Sequence, residues 1–423
     1  MSTLANILYD LGNEVVGYDD AKDYKFTCEG LNKRGITIYY DNEHELDKDA
    51  IVTYSVALSK EHRELVRCRE NGLTIKKYNE ILGELTSMFD TVCVSGTHGK
   101  TTTSSLITHI LKGVEDVNYF IGDGSGYAKR DNKKFIIESD EFNRHFLTYN
   151  PKYTVITNIE LEHTEIYKDI EDIKETFRRF ANKTENLIVA CGDNKNIRDI
   201  HFDKKVIYYG FEKDNDVYAD NIIKNSDGSS FDLYKNNELL GHVFIPLFGE
   251  HMILNTIASI IICLEYGLDM NLIIDRLSTF KNAKRRFAIE EVKDNIIIDD
   301  YAHHPTEIKV TLEAARQKYP DKTLLAVFKP NTYSRTQRFY KEFQDALNIA
   351  DKQYLTEIEC NREKSEDYGG VTSKVIFDGL NSGEMISDSS LGTLTDYHNS
   401  VICIMSCANI EHLKENLKKE LEN

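Results

Sequence analysis

The sequence predicts an α/β protein of three units in series, each alternating short strands with amphipathic helices. Three observations lead there. Extended runs and helical periodicities alternate along nearly the whole chain. Several extended runs end in glycine, acidic or histidine residues just before a helix, which is where parallel sheets place their loops. And 423 residues, with five prolines and neither repeat nor low-complexity stretch, suffice for two to four domains with large cores.

The first unit is expected over 1–88. Leu4, Ile7, Leu8 and Leu11 share a helical face that stops at Gly12. Extended runs follow at Glu14–Gly17, Ile36–Tyr40 and Ile51–Ser55, with a helical stretch around Lys60–Glu70. A parallel unit of this kind usually opens with a strand and a glycine turn. Here the sequence opens on the helix, so the unit is expected to lack its first strand or to carry a misassigned start. The second unit, 89–287, begins with the run Thr91–Val94 and a helix ending at Gly113. Strands are expected at Lys134–Ile137, Tyr153–Thr157, Asn186–Ala190 and Lys205–Tyr209, with a helix at Ile170–Phe180. Asp227-Gly228 and Asn236-Asn237 have hairpin-turn chemistry, and an apolar helix, His251–Tyr266, then stops at Gly267. The third unit, 288–423, places strands at Asn295–Asp299, Leu324–Phe328 and Val401–Met405, with helices from about Pro305 and Ser334.

A net charge of −18 argues against nucleic acid as a partner, since the surface would repel a phosphate backbone. Eight scattered cysteines without a Cys-x-x-Cys pair predict reduced thiols in a cytosol. The longest apolar segment, Ile257–Leu264, is too short to cross a bilayer, and no signal peptide is expected. A cytoplasmic enzyme without a membrane partner is the expectation.

Val94-Ser-Gly-Thr-His-Gly-Lys-Thr-Thr-Thr103 carries the strongest chemical signal. A strand, a glycine loop and Lys-Thr at a helix start make a phosphate cradle. The glycines admit backbone N–H groups to the oxyanions, Lys100 adds a point charge, and Thr101 can hold Mg²⁺. Val94 stands where the strict pattern has its first glycine, and a plain structural turn is the alternative. Glu138-Ser-Asp-Glu141 and His163 follow strands next to this loop and suit Mg²⁺ held against nucleotide phosphates. Taken alone they read as a solvated turn and a capping or surface histidine. Arg285-Arg286-Phe287 reads by default as a solvent-facing linker. In Asp299-Asp-Tyr-Ala-His-His-Pro305, Pro305 suits a first helical position and leaves His303 and His304 in the preceding loop. Arg335, after Lys329-Pro-Asn-Thr-Tyr-Ser334, can grip a carboxylate or phosphate with a forked pair of hydrogen bonds.

The ordered set of these motifs resembles the Mur ligase family, the ATP-dependent amide-bond formers of peptidoglycan synthesis. The matching pieces are Gly96–Thr103, Glu138–Glu141, Thr157-Asn-Ile-x-x-x-His163, Gly249-x-His-x-x-x-Asn255, Arg285–Phe287, Asp299–Glu307 and Tyr333-Ser-Arg-Thr336. They cover almost the whole chain. The resemblance implies a Rossmann-like UDP-sugar domain, a central P-loop-type ATPase domain and a Rossmann-like C-terminal domain. It implies UDP-N-acetylmuramate and L-alanine as substrates, ATP and Mg²⁺, and a monomer or weak homodimer. Gly96, Thr97, His98, Gly99, Lys100, Thr101, Thr102, Asn255, Arg286 and Asp300 would contact ATP. Thr101, Glu138 and His163 would hold the metal. Lys100, His303 and Arg335 would form the catalytic set.

Three departures stand against that pattern. The family's N-terminal Gly-x-Gly turn is absent, which puts sugar-nucleotide binding in question. Asn331-Thr332 replaces a His-Arg or His-Thr pair, and Ser406-Cys-Ala-Asn409 replaces Gly-Ala-Gly-Asp. A Mur-like ligase with another donor or acceptor, and a non-catalytic nucleotide-binding paralogue, are the competing readings.

Overall fold

The structure is a computed structural model that describes residues 1–22, 28–56, 58–360 and 363–422. The chain forms two compact units, one of 1–218, 234–238 and 254–276, the other of 219–233, 239–253 and 277–423. Most residues of the two expected domains 1–88 and 89–287 fall in the first unit.

The first unit opens on helix α1 (Ser2–Asp10), which buries Leu4 and Ile7, with Leu11 buried just beyond it, while Leu8 of the expected face is only half-buried. It continues through β1 (Val16–Tyr18), α2 (Cys28–Arg34), β2 (Thr37–Tyr39), β3 (Ile51–Tyr54), α3 (Arg63–Glu70), β4 (Thr74–Lys77) and α4 (Tyr78–Met88). The four strands pair two by two, β1 with β2 and β3 with β4, both in parallel. The elements α2, β4 and α4 are not among the expected ones, although Ile81, Leu82 and Leu85 on α4 are buried at helical spacing. The face of α2 buries Leu31 alone, and β4 is four residues with no buried position.

The main sheet follows with β5 (Asp90–Ser95), α5 (Lys100–Lys112), β6 (Asn118–Phe120), β7 (Gly126–Tyr127), β8 (Lys134–Glu138), β9 (Tyr153–Ile156), α6 (Ile170–Ala181), β10 (Leu187–Cys191), α7 (Lys195–Arg198) and β11 (Val206–Gly210). Within the unit its strand order is β11-β10-β9-β5-β8-β6-β7, parallel except for the edge strand β7. Residues Thr91–Ser95 are all buried, which is why this strand reads as a continuous run rather than an alternation. From β5 the chain first builds the β6–β8 side and then crosses to β9. The C-terminal end of β5 is therefore the point where connections diverge, and open parallel sheets place their ligands there.

The strands β12 (Val217–Asn225), β13 (Gly228–Lys235) and β14 (Glu238–Ile245), and helix α8 (Glu250–Glu265), contribute residues to both units. Asn236 and Asn237 both turn left-handed (φ 50° and 67°), as a two-residue hairpin turn requires. Helix α9 (Met270–Ser278) carries the first unit's last residues, to Arg276.

The second unit carries β15 (Ala288–Val292), β16 (Asn295–Asp300), α10 (Pro305–Lys318), β17 (Thr323–Phe328), α11 (Tyr333–Leu347), β18 (Lys352–Leu355), α12 (Lys374–Phe377), β19 (Gly383–Met385), β20 (Ser400–Met405) and α13 (Glu411–Glu422). The sheet order is β15-β16-β20-β17-β18-β19, parallel except for β15 against β16. One core, around Ile298, Phe328, Phe343 and Leu347, packs the face toward α10 and α11. Another, around Ile297, Val327, Ile402 and Leu417, packs the opposite face with α13. Alternating Ile296–Ile298 thus feed opposite layers. Truncating Ile298, which is fully buried, leaves a cavity in the first of these cores. Ile298→Val is expected to cost ~1 kcal/mol and Ile298→Ala ~3–4 kcal/mol in urea unfolding. Equal, near-zero costs would contradict this packing.

Candidate active site

The loop after β5 runs over 96–99 and starts α5 at Lys100. Two of its glycines are demanded by geometry. At Gly96 (φ +134°) a Cβ would lie 2.0 Å from Thr157 Oγ1, and at Gly99 (φ +82°) 2.6 Å from Asn255 Oδ1. No side chain fits either position, so the backbone turns tightly at the helix N-terminus. The loop is clamped from the end of β9. The Thr97 N–H donates to the Asn158 carbonyl (3.0 Å), and the His98 N–H to Asn158 Oδ1 (2.9 Å). Thr157 Oγ1 and Asn158 Nδ2 donate to the His98 carbonyl. His98 also faces the Glu160 carboxylate at 3.4 Å. Thr101 and Thr102 are buried on α5, and Asn255 is buried on α8 beside Gly99.

Lys100 donates from Nζ to the carbonyls of Gly96 (2.6 Å) and Thr97 (3.1 Å) and to both oxygens of Glu141 (2.9 and 3.1 Å). Burial opposes its charge, yet the Glu141, Asp140 and Glu138 carboxylates outweigh that and push its pKa up. Glu141 is 3% exposed; burial would raise its pKa, but Lys100 and His163 hold it down. His163 Nε2 lies 3.7 Å from Glu141 Oε1, and the ring stands edge-on to Phe142. Against burial, hydrogen bonding to Glu141 and Glu165 pushes its pKa up to about 10.

Glu138, expected to hold a metal together with His163, accepts from Thr101 Oγ1 (2.9 Å) and the Gly122 N–H (2.8 Å). The carboxylate that meets His163 is Glu141, the last residue of the same Glu138–Glu141 stretch. Asp140, Glu141 and His163 each bring a ligand atom within 4.8 Å of the others. Which of four consecutive residues at a strand end turns inward is set by the loop beyond the strand, so no periodicity could select Glu141. The oxygen donors Thr101, Glu138 and Glu141, close to an anion-binding loop, suit a hard divalent cation. Gly122 leaves the space that the Glu138 carboxylate fills, since a Cβ there would lie 2.5 Å from it. These residues fit Mg²⁺, provided that His163 sheds its proton on ligation.

The second unit gathers its own set at the C-terminal ends of its strands. Arg285-Arg286-Phe287 is no free linker. Arg285 pairs with Asp299 (3.1 Å) and donates to the Ser406 carbonyl (2.7 Å), and Arg285 and Phe287 are both left-handed (φ 54° and 53°). Arg286 lies over the Tyr301 ring at 5.1 Å. Asp300 accepts from the N–H groups of Phe287 (2.7 Å) and Ala302 (2.8 Å). His303 lies in the strand-to-helix loop as expected, with Nδ1 at 3.1 Å from Glu307, and Glu307 closes a capping box on His304. Arg335 sits in the first turn of α11, 3.4 Å from Thr332 Oγ1. Lys329, 4% exposed, pairs with Glu359 (2.5 Å) and Asp388 (3.3 Å).

Burial pushes the Asp300 pKa up from 3.8 to about 6, although Arg286 and two N–H donors favour the anion. A group whose folded-state pKa is raised in this way favours folding while it is protonated. Its contribution is full below pH 3.8 and is lost as pH rises through about 6. Stability of the wild type relative to Asp300→Asn is therefore expected to fall by roughly 2–3 kcal/mol between pH 3.5 and 7. Denaturant titrations of both proteins across that range check it; parallel curves would contradict it.

Comparison with known proteins bears on both sets. Residues 94–263 match the Mur ligase middle domain, 285–405 the Mur ligase glutamate ligase domain, and 1–90 the catalytic domain of the Mur ligase family. The chain belongs to the Mur ligase family. It is 42% identical to the UDP-N-acetylmuramate–L-alanine ligase of Lacticaseibacillus paracasei, over 97% of this chain and 94% of that one. Its fold is similar to that of the UDP-N-acetylmuramate-alanine ligase MurC of Thermotoga maritima (TM-score 0.81, 23% identity, 99% of this chain and 96% of that one). It is also similar to the MurF ligase of Thermotoga maritima in complex with ADP (TM-score 0.68, 19% identity, 89% and 96%).

Proposed function

We propose that the protein joins L-alanine to UDP-N-acetylmuramate at the expense of ATP, releasing ADP and phosphate, as a cytoplasmic step of peptidoglycan synthesis. The observation that carries this reading is the Lys100 loop, closed by glycines and flanked by Glu138, Glu141 and His163, in a chain similar over nearly its full length to ligases of that name. Three functional domains, 1–88 for the UDP-sugar, 89–287 for ATP and 288–423 for the amino acid, accord with the three family matches. Among the described residues no helix is long and apolar enough to cross a membrane.

In this reading a carboxylate oxygen of the muramoyl group attacks the γ-phosphorus, and the bond to the ADP oxygen breaks. The alanine amine then attacks the acyl carbon of the acyl phosphate, phosphate leaves, and the amine loses its proton. Neither step needs a covalent enzyme intermediate. Both need charge neutralised and groups aligned. Residues 96–102 would hold the phosphates through backbone N–H groups, with Lys100 on the transferred phosphoryl. Thr101, Glu138 and His163, with Glu141 set against His163, would hold Mg²⁺, which supplies further charge neutralisation on the phosphates. Asn255, Arg286 and Asp300 would contact ATP, and His303 and Arg335 the incoming amino acid.

Turnover is expected to yield ADP and phosphate only when UDP-N-acetylmuramate and L-alanine are both present, as chromatography of the products checks. AMP and pyrophosphate would refute the mechanism, and an equal rate with another amino acid would redirect the substrate reading. Lys100→Ala should lower kcat by ~10²–10³-fold. Glu138→Gln and His163→Ala should each raise the Mg²⁺ needed for half-maximal rate by roughly tenfold or more while the fold persists. Normal Mg²⁺ dependence at full rate in both would return Glu138 and His163 to a surface turn and a capping histidine.

A further inference from the structure

Tyr167 is fully enclosed (1% exposed) and touches both loops that bring carboxylate and imidazole to the Lys100 site. Its hydroxyl donates to the backbone carbonyl of Glu141 (2.5 Å). Its backbone N–H donates to the carbonyl of His163 (2.9 Å), beside a parallel bond from the Ile166 N–H (2.8 Å). One residue therefore fastens the loop after β8 to the loop after β9. The ring is itself fixed. The Arg144 guanidinium lies over it at 4.9 Å and is held by both oxygens of Asp172 (2.8 and 2.9 Å) and by Thr176, the latter two residues on α6.

The loops require such a hold. Asn143, Arg144 and His163 all adopt left-handed backbone angles (φ 52°, 58° and 52°), uncommon for residues other than glycine, and least accommodating for the arginine. Each costs on the order of 1 kcal/mol and persists only where surrounding contacts fix it. Glu141 lies two residues before the strained pair 143–144, and His163 is itself strained, four residues before Tyr167.

We propose that Tyr167 is a positioning residue, which through its hydroxyl sets Glu141 against His163 and Lys100 at the cation and γ-phosphate position, with Arg144 and Asp172 fixing its ring. The inference rests on the proposed Mg·nucleotide reading of this site. A packing role would need the ring alone. A positioning role needs the hydroxyl, which Tyr167→Phe removes with the ring left in place.

The test uses the full chain and Mn²⁺ as probe, titrated by electron paramagnetic resonance in the presence of ADP. Tyr167→Phe is expected to bind Mn²⁺ roughly tenfold more weakly than the wild type. Its ADP affinity without metal, its KM for alanine and its thermal midpoint should stay close to the wild type. Arg144→Lys, which keeps the charge but loses the two nitrogens that hold Thr176 and Asp172 together, should weaken Mn²⁺ in the same direction by a smaller factor. Wild-type Mn²⁺ affinity in a folded Tyr167→Phe overturns the positioning role while leaving the cation site intact. Should that variant fail to fold, unchanged Mn²⁺ affinity in Arg144→Lys overturns it instead. Failure of the wild type itself to bind Mn²⁺ with ADP overturns this inference together with the site reading it rests on.

Discussion

The buried pair of Lys100 and Glu141 is the contact on which the first unit's site depends. An ammonium and a carboxylate lie 2.9 Å apart, with side chains 13% and 4% exposed. Desolvating two charges costs several kcal/mol each, and their attraction roughly offsets that, so the pair adds little net stability. Its effect is geometric. Lys100 also closes on the carbonyls of Gly96 and Thr97, which fixes the curvature of the glycine loop. Glu141 draws in His163 from the neighbouring strand end. The result is a compact charge cluster with one cation fixed at a helix N-terminus.

The sheet explains why such a cluster can form at all. β5 has β8 on one side and β9 on the other, so three parallel strands deliver their loops to one edge. Each loop carries a different tool: the glycine turn and Lys100, then the carboxylates, then Asn158 and His163. The second unit repeats the principle with its own sheet. There β16, β17 and β20 end together and present Asp300, Lys329 and Ser406, joined by the bond from the Ser406 hydroxyl to the Lys329 carbonyl (2.7 Å). In both units the core fixes strand ends, and the strand ends position the polar groups.

Much of this was legible in the residues. Glycine spacing before Lys100 announced the loop, because only glycine tolerates the φ values and close approaches at 96 and 99. Apolar runs announced β5, β8, β9, β16, β17 and β20, whose burial leaves little room for polar positions. What stayed hidden depends on contacts distant in sequence. Glu141 gained its role from Lys100 and His163, and Tyr167 from a hydroxyl that meets a carbonyl 26 positions earlier. The arginine pair at 285–286 reads as a linker until Asp299 and Tyr301 fold against it. β15 was invisible because its burial alternates over five residues at a sheet edge, with Glu290 and Glu291 in its middle.

The central claim is that the geometry around Lys100 activates a carboxylate by phosphorylating it, and isotope transfer tests this most directly. UDP-N-acetylmuramate labelled with ¹⁸O in both carboxylate oxygens is turned over with ATP and L-alanine, and the released phosphate is analysed by mass spectrometry. Attack by the carboxylate on the γ-phosphorus predicts one ¹⁸O in each phosphate released and one retained in the amide product. Phosphate free of label, with turnover intact, would contradict the account.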